Sequence, residues 1–152
     1  MIRLSLVLAL AGASLPAALP AALALAALPA AAQIREFNCV GAAALDDDSF
    51  AVGFAARSDR LGEEARSPLE AAAELARRSP QRNVCVLGHA LSTEGGTTTG
   101  QRLAAARARE VALELARLGI ERDRVRAEAR VAGFTRSTAA RPARGATIVV
   151  MP

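Results

Sequence analysis

The chain has 152 residues, room for one small domain, with 19 basic and 15 acidic residues and a formal net charge of +4. Every basic residue is arginine, which excludes the lysine-dependent phosphate loop of nucleotide hydrolases. One histidine (His89) and two cysteines, Cys39 and Cys85, are too few and too scattered for a zinc site, and four Phe without Trp or Tyr argue against stacking on nucleic acid.

Residues 1–32 carry a single charge, Arg3, ahead of a long apolar run that ends Ala30-Ala31-Ala32 before Gln33. A small-x-small ending after an apolar run reads as a secretory signal peptide. An uncleaved inner-membrane anchor is the alternative, because the run is long enough to cross a bilayer. Pro16, Pro20 and Pro29 interrupt it and weaken that alternative. A lipid anchor is disfavoured too: Cys39 follows Glu-Phe-Asn, where a lipidation signal needs small apolar residues.

The exported part then has 18 arginines against 15 acids, and the charge is uneven. Residues 33–80 hold six Arg and nine acids; residues 81–152 hold twelve Arg and six acids. The basic half favours an anionic partner; the alternative is arginine standing in for lysine on solvated faces. Two cysteines in an oxidising compartment point to one disulfide, with two buried thiols as the other possibility. A Cys39–Cys85 bridge would close a loop of 46 residues, adding about 3–4 kcal/mol.

Residues 33–48 show no period, and Asp46-Asp47-Asp48 reads as a solvated turn that lacks the alternating ligands of a calcium loop. "FAVGFAA" places Phe50, Val52 and Phe54 on one side and Ala51, Gly53 and Ala55 on the other, a strand with one buried face. "SPLE" offers a capping box, with Ser67 as N-cap, Pro68 at the first helical position and Glu70 closing it. The helix that follows reaches Arg78, presents Leu69, Ala72, Ala73 and Ala76 inward, and stops at Ser79-Pro80. "NVCVLG" is a continuous apolar run, a central strand.

After the loop "HALSTEGGTTTG", a second helix is predicted from near Gly100 to Leu118, with Gly119 as its C-cap. Leu103, Val111, Leu115 and Leu118 form its apolar stripe, and Arg107 falls inside that stripe while Arg102, Arg109 and Arg117 fall outside. A charge on a buried stripe costs free energy unless it is paired or used. Arg107 therefore snorkels, pairs with an internal acid, or holds a ligand carboxylate in its fork. "RVRAEARV" alternates as a half-exposed strand, "GFTRSTAARPARG" is loop, and "ATIVVMP" a terminal strand. The order β-α-β-α-β-loop-β predicts an α+β domain with its helices on one face of a sheet.

The stretches "VLGHA" (86–90), "LAAARAREV" (103–111), "LARLGIERDRVRAEARV" (115–131) and "RPARGATIVV" (141–150) together resemble the OmpA-like periplasmic domain family. The likeness runs from Ser49 to the C-terminus and implies an OmpA-like β-α-β-α-β-β two-layer sandwich over 49–152, its helices on one face of a small mixed sheet, after the leader over 1–32 and an N-terminal segment over 33–48. What it implies is a non-catalytic cell-envelope module that binds peptidoglycan in the periplasm, in association with the outer membrane or cell wall, without cofactor, metal, nucleotide or nucleic acid. In the family a helix arginine takes the carboxylate of diaminopimelate and a strand-end aspartate takes its ammonium. The arginine carries over to Arg107. The aspartate does not: its place falls on Leu91 or Ser92, depending on how the loop is aligned.

The family's Asn before the helix is Gly100 here, and its double-basic ending is reduced to Arg144-Gly145. Glu94, the only carboxylate of the loop, is the candidate replacement for the missing acid. The loop backbone could also offer N–H groups to a carboxylate near the helix start. The candidate ligand-binding set is therefore Arg107, Leu91, Ser92, Glu94, Gly100 and Arg144, with His89 structural. The other reading is a degenerate domain that keeps the fold, has lost its ligand and works through envelope proteins. Enzymatic activity is disfavoured: His89 and Ser92 have no orienting acid beside them.

Overall fold

A computed structural model describes residues 35–94, 96–131 and 144–152. The leader and the loop predicted around residues 133–143 lie outside the described residues. The elements are β1 (Ser49–Gly53), α1 (Arg66–Arg78), β2 (Val84–Ala90), α2 (Gly96–Arg117), β3 (Val125–Val131) and β4 (Gly145–Val150). They build one sheet in the order β1-β4-β2-β3. β4 is antiparallel to both β1 and β2, whereas β2 and β3 are parallel. The domain is α+β, as the chain-order reading predicts, and the sheet is mixed, as the family resemblance implies.

The main core lies between the helices and one sheet face. Val52 and Phe54, Val84 and Val86, and Ala146, Ile148 and Val150 meet Leu69, Ala72, Ala73 and Ala76 of α1 and Ala108, Val111 and Leu115 of α2. The opposite face is covered as well. Cys85, Leu87 and Val149 pack against Cys39, Ala42, Phe37 and Leu45 of the N-terminal segment. Burial on both faces is why β2 reads as an unbroken apolar run. A Cys39–Cys85 disulfide fastens the segment to the sheet, and Arg126 and Arg130 of the edge strand donate to the carbonyls of Phe37 and Cys39. All of these elements belong to one compact unit, Ala32–Pro152.

Two helix starts differ from expectation. No capping box forms at Ser67. A 3-10 turn, Glu63–Ala65, runs straight into α1, so Ser67 and Pro68 already lie in the first turn. Proline is tolerated there because its missing N–H has no intrahelical partner to lose. Glu70 pairs instead with Arg66 at 3.0 Å. The second correction is α2, which begins at Gly96 rather than near Gly100. Its Gly/Thr-rich first turn has weak helix propensity and reads as loop for that reason.

The far end of α2 agrees with the sequence. Gly119 has φ +90°; its N–H bonds the Ala116 carbonyl and the Ile120 N–H bonds that of Leu115, a Schellman ending. Asp46, Asp47 and Asp48 are exposed, and Asp48 meets Arg82 at 2.6 Å.

Candidate functional site

Three segments converge on Arg107. α2 lies close enough to β2 that a Cβ at Gly88 would run into the carbonyl of Ala104. That approach turns the next helical turn, with Arg107, toward the end of β2. The chain leaving β1 makes a turn in which Ser58 N–H bonds the Ala55 carbonyl. Arg57, inside that turn, takes φ +57°, a left-handed conformation uncommon outside glycine. The third segment is the 3-10 turn Ser92–Glu94 after β2.

Arg107 is fully buried, and each of its five N–H donors has a partner. Nε donates to the Ser58 carbonyl at 2.8 Å, Nη1 to the His89 carbonyl at 2.8 Å and Nη2 to the Ala55 carbonyl at 3.2 Å. The remaining two donors go to Glu94, Nη1 to Oε2 at 3.1 Å and Nη2 to Oε1 at 2.9 Å. This is a bidentate fork, the strong form of the arginine–carboxylate pair. The Phe54 ring lies under the guanidinium, 5.5 Å from centroid to Cζ, within cation–π range.

Glu94 is as enclosed as its partner, its side chain 3% exposed. Its carboxylate also accepts the backbone N–H of Arg57 at 2.9 Å and of Leu91 at 3.0 Å. Arg107's hydrogen bonds hold the Glu94 carboxyl down at about 2; burial pushes the other way, and the two backbone N–H groups add to the lowering. Arg144 stands at the rim, Nε 3.7 Å from Glu94 Oε1 and about half exposed.

The six candidate residues are thus placed as follows. Arg107, Glu94 and Arg144 come together, and Leu91 contributes its N–H. Ser92 shares the turn that carries Glu94, and Gly100 packs its backbone toward the Leu91 carbonyl. Glu94 does not stand across from Arg107 as a second, free arm for a zwitterion; it is bound to Arg107. The backbone N–H groups that meet a carboxylate are those of Leu91, directly after β2, and Arg57, after β1, and their acceptor is the chain's own Glu94. His89 bonds Thr147 Oγ1 at 3.1 Å, a structural contact. Sequence reasoning missed Ala55, Arg57 and Ser58, which act only through backbone groups. It also missed Arg124, a second buried arginine. No cluster of metal-ligating side chains occurs among the described residues. A groove between α1 and α2, lined by Arg60, Leu61, Glu70, Glu110 and Arg117 among others, does not include the Arg107 site.

Two helices on one face of a four-stranded mixed sheet, with a helix arginine turned to the end of the central strand, define an OmpA-like domain. The OmpA family profile matches residues 53–146, and the chain belongs to that family. Among solved structures it is similar to the OmpA-like domain of FopA1 from Francisella tularensis, with 19% identity over 71% of this chain and 77% of that one and a TM-score of 0.55. The peptidoglycan-associated lipoprotein of Burkholderia pseudomallei gives 21%, 66%, 88% and 0.54 for the same quantities. The cell wall anchor of the type VI secretion system of Pseudomonas aeruginosa gives 27%, 65%, 74% and 0.51. No curated protein matches the chain.

Proposed function

We propose that this protein is a non-catalytic module of the cell envelope in which Arg107 at rest serves the fold instead of a diaminopimelate carboxylate. The observation that carries this reading is the complete internal pairing of Arg107 by Glu94 and three backbone carbonyls. A wall carboxylate would have to displace a glutamate already held by four N–H donors. The names of the similar structures, a peptidoglycan-associated lipoprotein and a cell wall anchor, support the envelope assignment. The disulfide fits an oxidising compartment such as the periplasm. Of the two readings open at the sequence, the structural and protein-interaction module is favoured over carboxylate capture.

Capture through Arg107 remains the second reading, favoured by one observation: the carbonyls of Ser58, His89 and Ala55 would hold the guanidinium in place with or without Glu94. The two are separated by co-sedimenting residues 33–152 with purified diaminopimelate-type peptidoglycan, with and without excess free diaminopimelate. The expected result is that whatever pellets is indifferent to the free amino acid. Competition by diaminopimelate would establish capture.

A further inference from the structure

We propose that Glu94 acts as a built-in ligand: its carboxylate fills a pre-formed carboxylate site, and withdrawing it leaves a receptor for a carboxylate supplied from outside. The proposal rests on the reading that Arg107 is closed at rest. Three features carry it.

Four N–H donors from three segments converge on the two oxygens, and they divide evenly. Oε1 takes Arg57 N–H and Arg107 Nη2; Oε2 takes Leu91 N–H and Arg107 Nη1. Converging backbone amides beside a guanidinium fork are the donor set of an anion site. Three of the four donors are also fixed by groups other than Glu94; the fourth, Leu91 N–H, belongs to the turn that carries Glu94. Arg107 is held by three carbonyls and the Phe54 ring, and its helix by the close approach at Gly88. Arg57 is held by the Ala55–Ser58 turn, in a left-handed conformation that aims its N–H at Glu94. Strain of this kind persists only where the surroundings impose it.

The occupant, by contrast, is carried on the smallest element of the site, a 3-10 turn of three residues. Arg144, half exposed, lies 3.7 Å from Glu94 Oε1 and marks the side of the site nearest solvent. Removing the Glu94 carboxylate leaves a buried cation and two N–H groups without partners, a deficit that a small external carboxylate repairs.

The test is Glu94→Ala in residues 33–152, melted in sodium acetate and in sodium chloride at equal ionic strength. The Tm of Glu94→Ala is expected to be higher in acetate by about 3 °C or more. Wild type, and the double variant Glu94→Ala/Arg107→Met, are expected not to respond. A folded Glu94→Ala that is indifferent to acetate overturns the proposal, as does a wild type that responds equally. If Glu94→Ala does not fold in chloride, recovery on refolding in acetate alone supports the proposal, and recovery in neither salt overturns it. Pelleting with peptidoglycan identifies the source of the carboxylate. Arg107-dependent pelleting gained by Glu94→Ala assigns the site to a wall stem peptide, and acetate rescue without pelleting assigns it to free small carboxylates. Competition by diaminopimelate in the wild type would sink the resting-state reading above, whereas acetate indifference sinks this one.

Discussion

Among the described residues Arg107 and Arg124 are the two buried arginines, 0% and 2% exposed, yet they are buried for different reasons. Arg124 follows α2 in a 3-10 turn, Arg122–Arg124, and reaches across to the end of α1. Its Nη2 donates to the carbonyls of Ala76 and Ser79, and Nη2 and Nε both to that of Arg82. Those carbonyls lie in the last turn of α1 and the connection after it, where a cation is favoured by the macrodipole; those of Ala76 and Ser79 also accept the N–H groups of Ser79 and Arg82. Its one acid, Glu121, remains 62% exposed. Arg107 is likewise held by three carbonyls, but its charge is met by a carboxylate that is itself buried. Burial of the guanidinium does not distinguish a structural arginine from a ligand-type one; burial of its counter-ion does.

A pair of double-mutant cycles tests that contrast at its strongest point. Arg107→Met leaves Glu94 buried and uncompensated, and is expected to cost about 3–5 kcal/mol. Adding Glu94→Leu removes the orphan charge and should recover a large part of the loss. Arg124→Met removes the hydrogen bonds to the carbonyls of Ala76, Ser79 and Arg82 at about 1–3 kcal/mol, and adding Glu121→Leu should recover almost nothing, since Glu121 lies in solvent. Urea midpoints of the seven proteins, wild type, the four single variants and the two doubles, give both coupling energies. Similar couplings in the two cycles would remove the distinction.

How far the sequence discloses these two sites follows from what each is made of. The alternation of Val52 and Phe54 and the spacing of Leu69, Ala72, Ala73 and Ala76 are side-chain patterns, and both are legible. So is Arg107 within the stripe of α2, because a charge at a buried position breaks a period. Pairing with an internal acid is visible as an option but not as Glu94, since the pair joins two elements whose approach is set by Gly88 and by the turn at Arg57. The backbone donors of Arg57 and Leu91 have no residue signature at all. Arg124 sits among the charges of "ERDRVR", where nothing marks one arginine as buried. The cover that residues 37–45 give the second sheet face is aperiodic, held by a disulfide and by backbone acceptors, so no pattern announces it.

The acid limb of the stability curve separates the same two sites by a smaller effect. The folded Glu94 carboxyl titrates near 2, below its ordinary 4.5. Its contribution is therefore complete above about pH 4.5 and is lost as pH falls from there through 2. Glu121 is also lowered, first by its own backbone N–H and then by Arg124, but it is exposed and screened. Glu94→Gln should flatten the fall in urea midpoint across this window, and Glu121→Gln should leave most of it. A steep acid limb surviving in Glu94→Gln would mean that other carboxylates control it.

The smallest expected effect belongs to the rim. Arg144 approaches Glu94 to 3.7 Å with about half its side chain in solvent, so the attraction is weak and opposed by side-chain entropy. Arg144→Ala should cost less than about 0.5 kcal/mol, and raising the salt concentration should erase the difference from wild type. The fork of Arg107 and the N–H groups of Arg57 and Leu91 already satisfy the Glu94 oxygens, so the acid limb of Arg144→Ala should match that of wild type. A loss approaching that of Arg107→Met, unchanged by salt, would show that Arg144 belongs to the buried clamp. The contrast with Arg124 would then sharpen, because one buried carboxylate would be serving two arginines where Arg124 is served mainly by carbonyls.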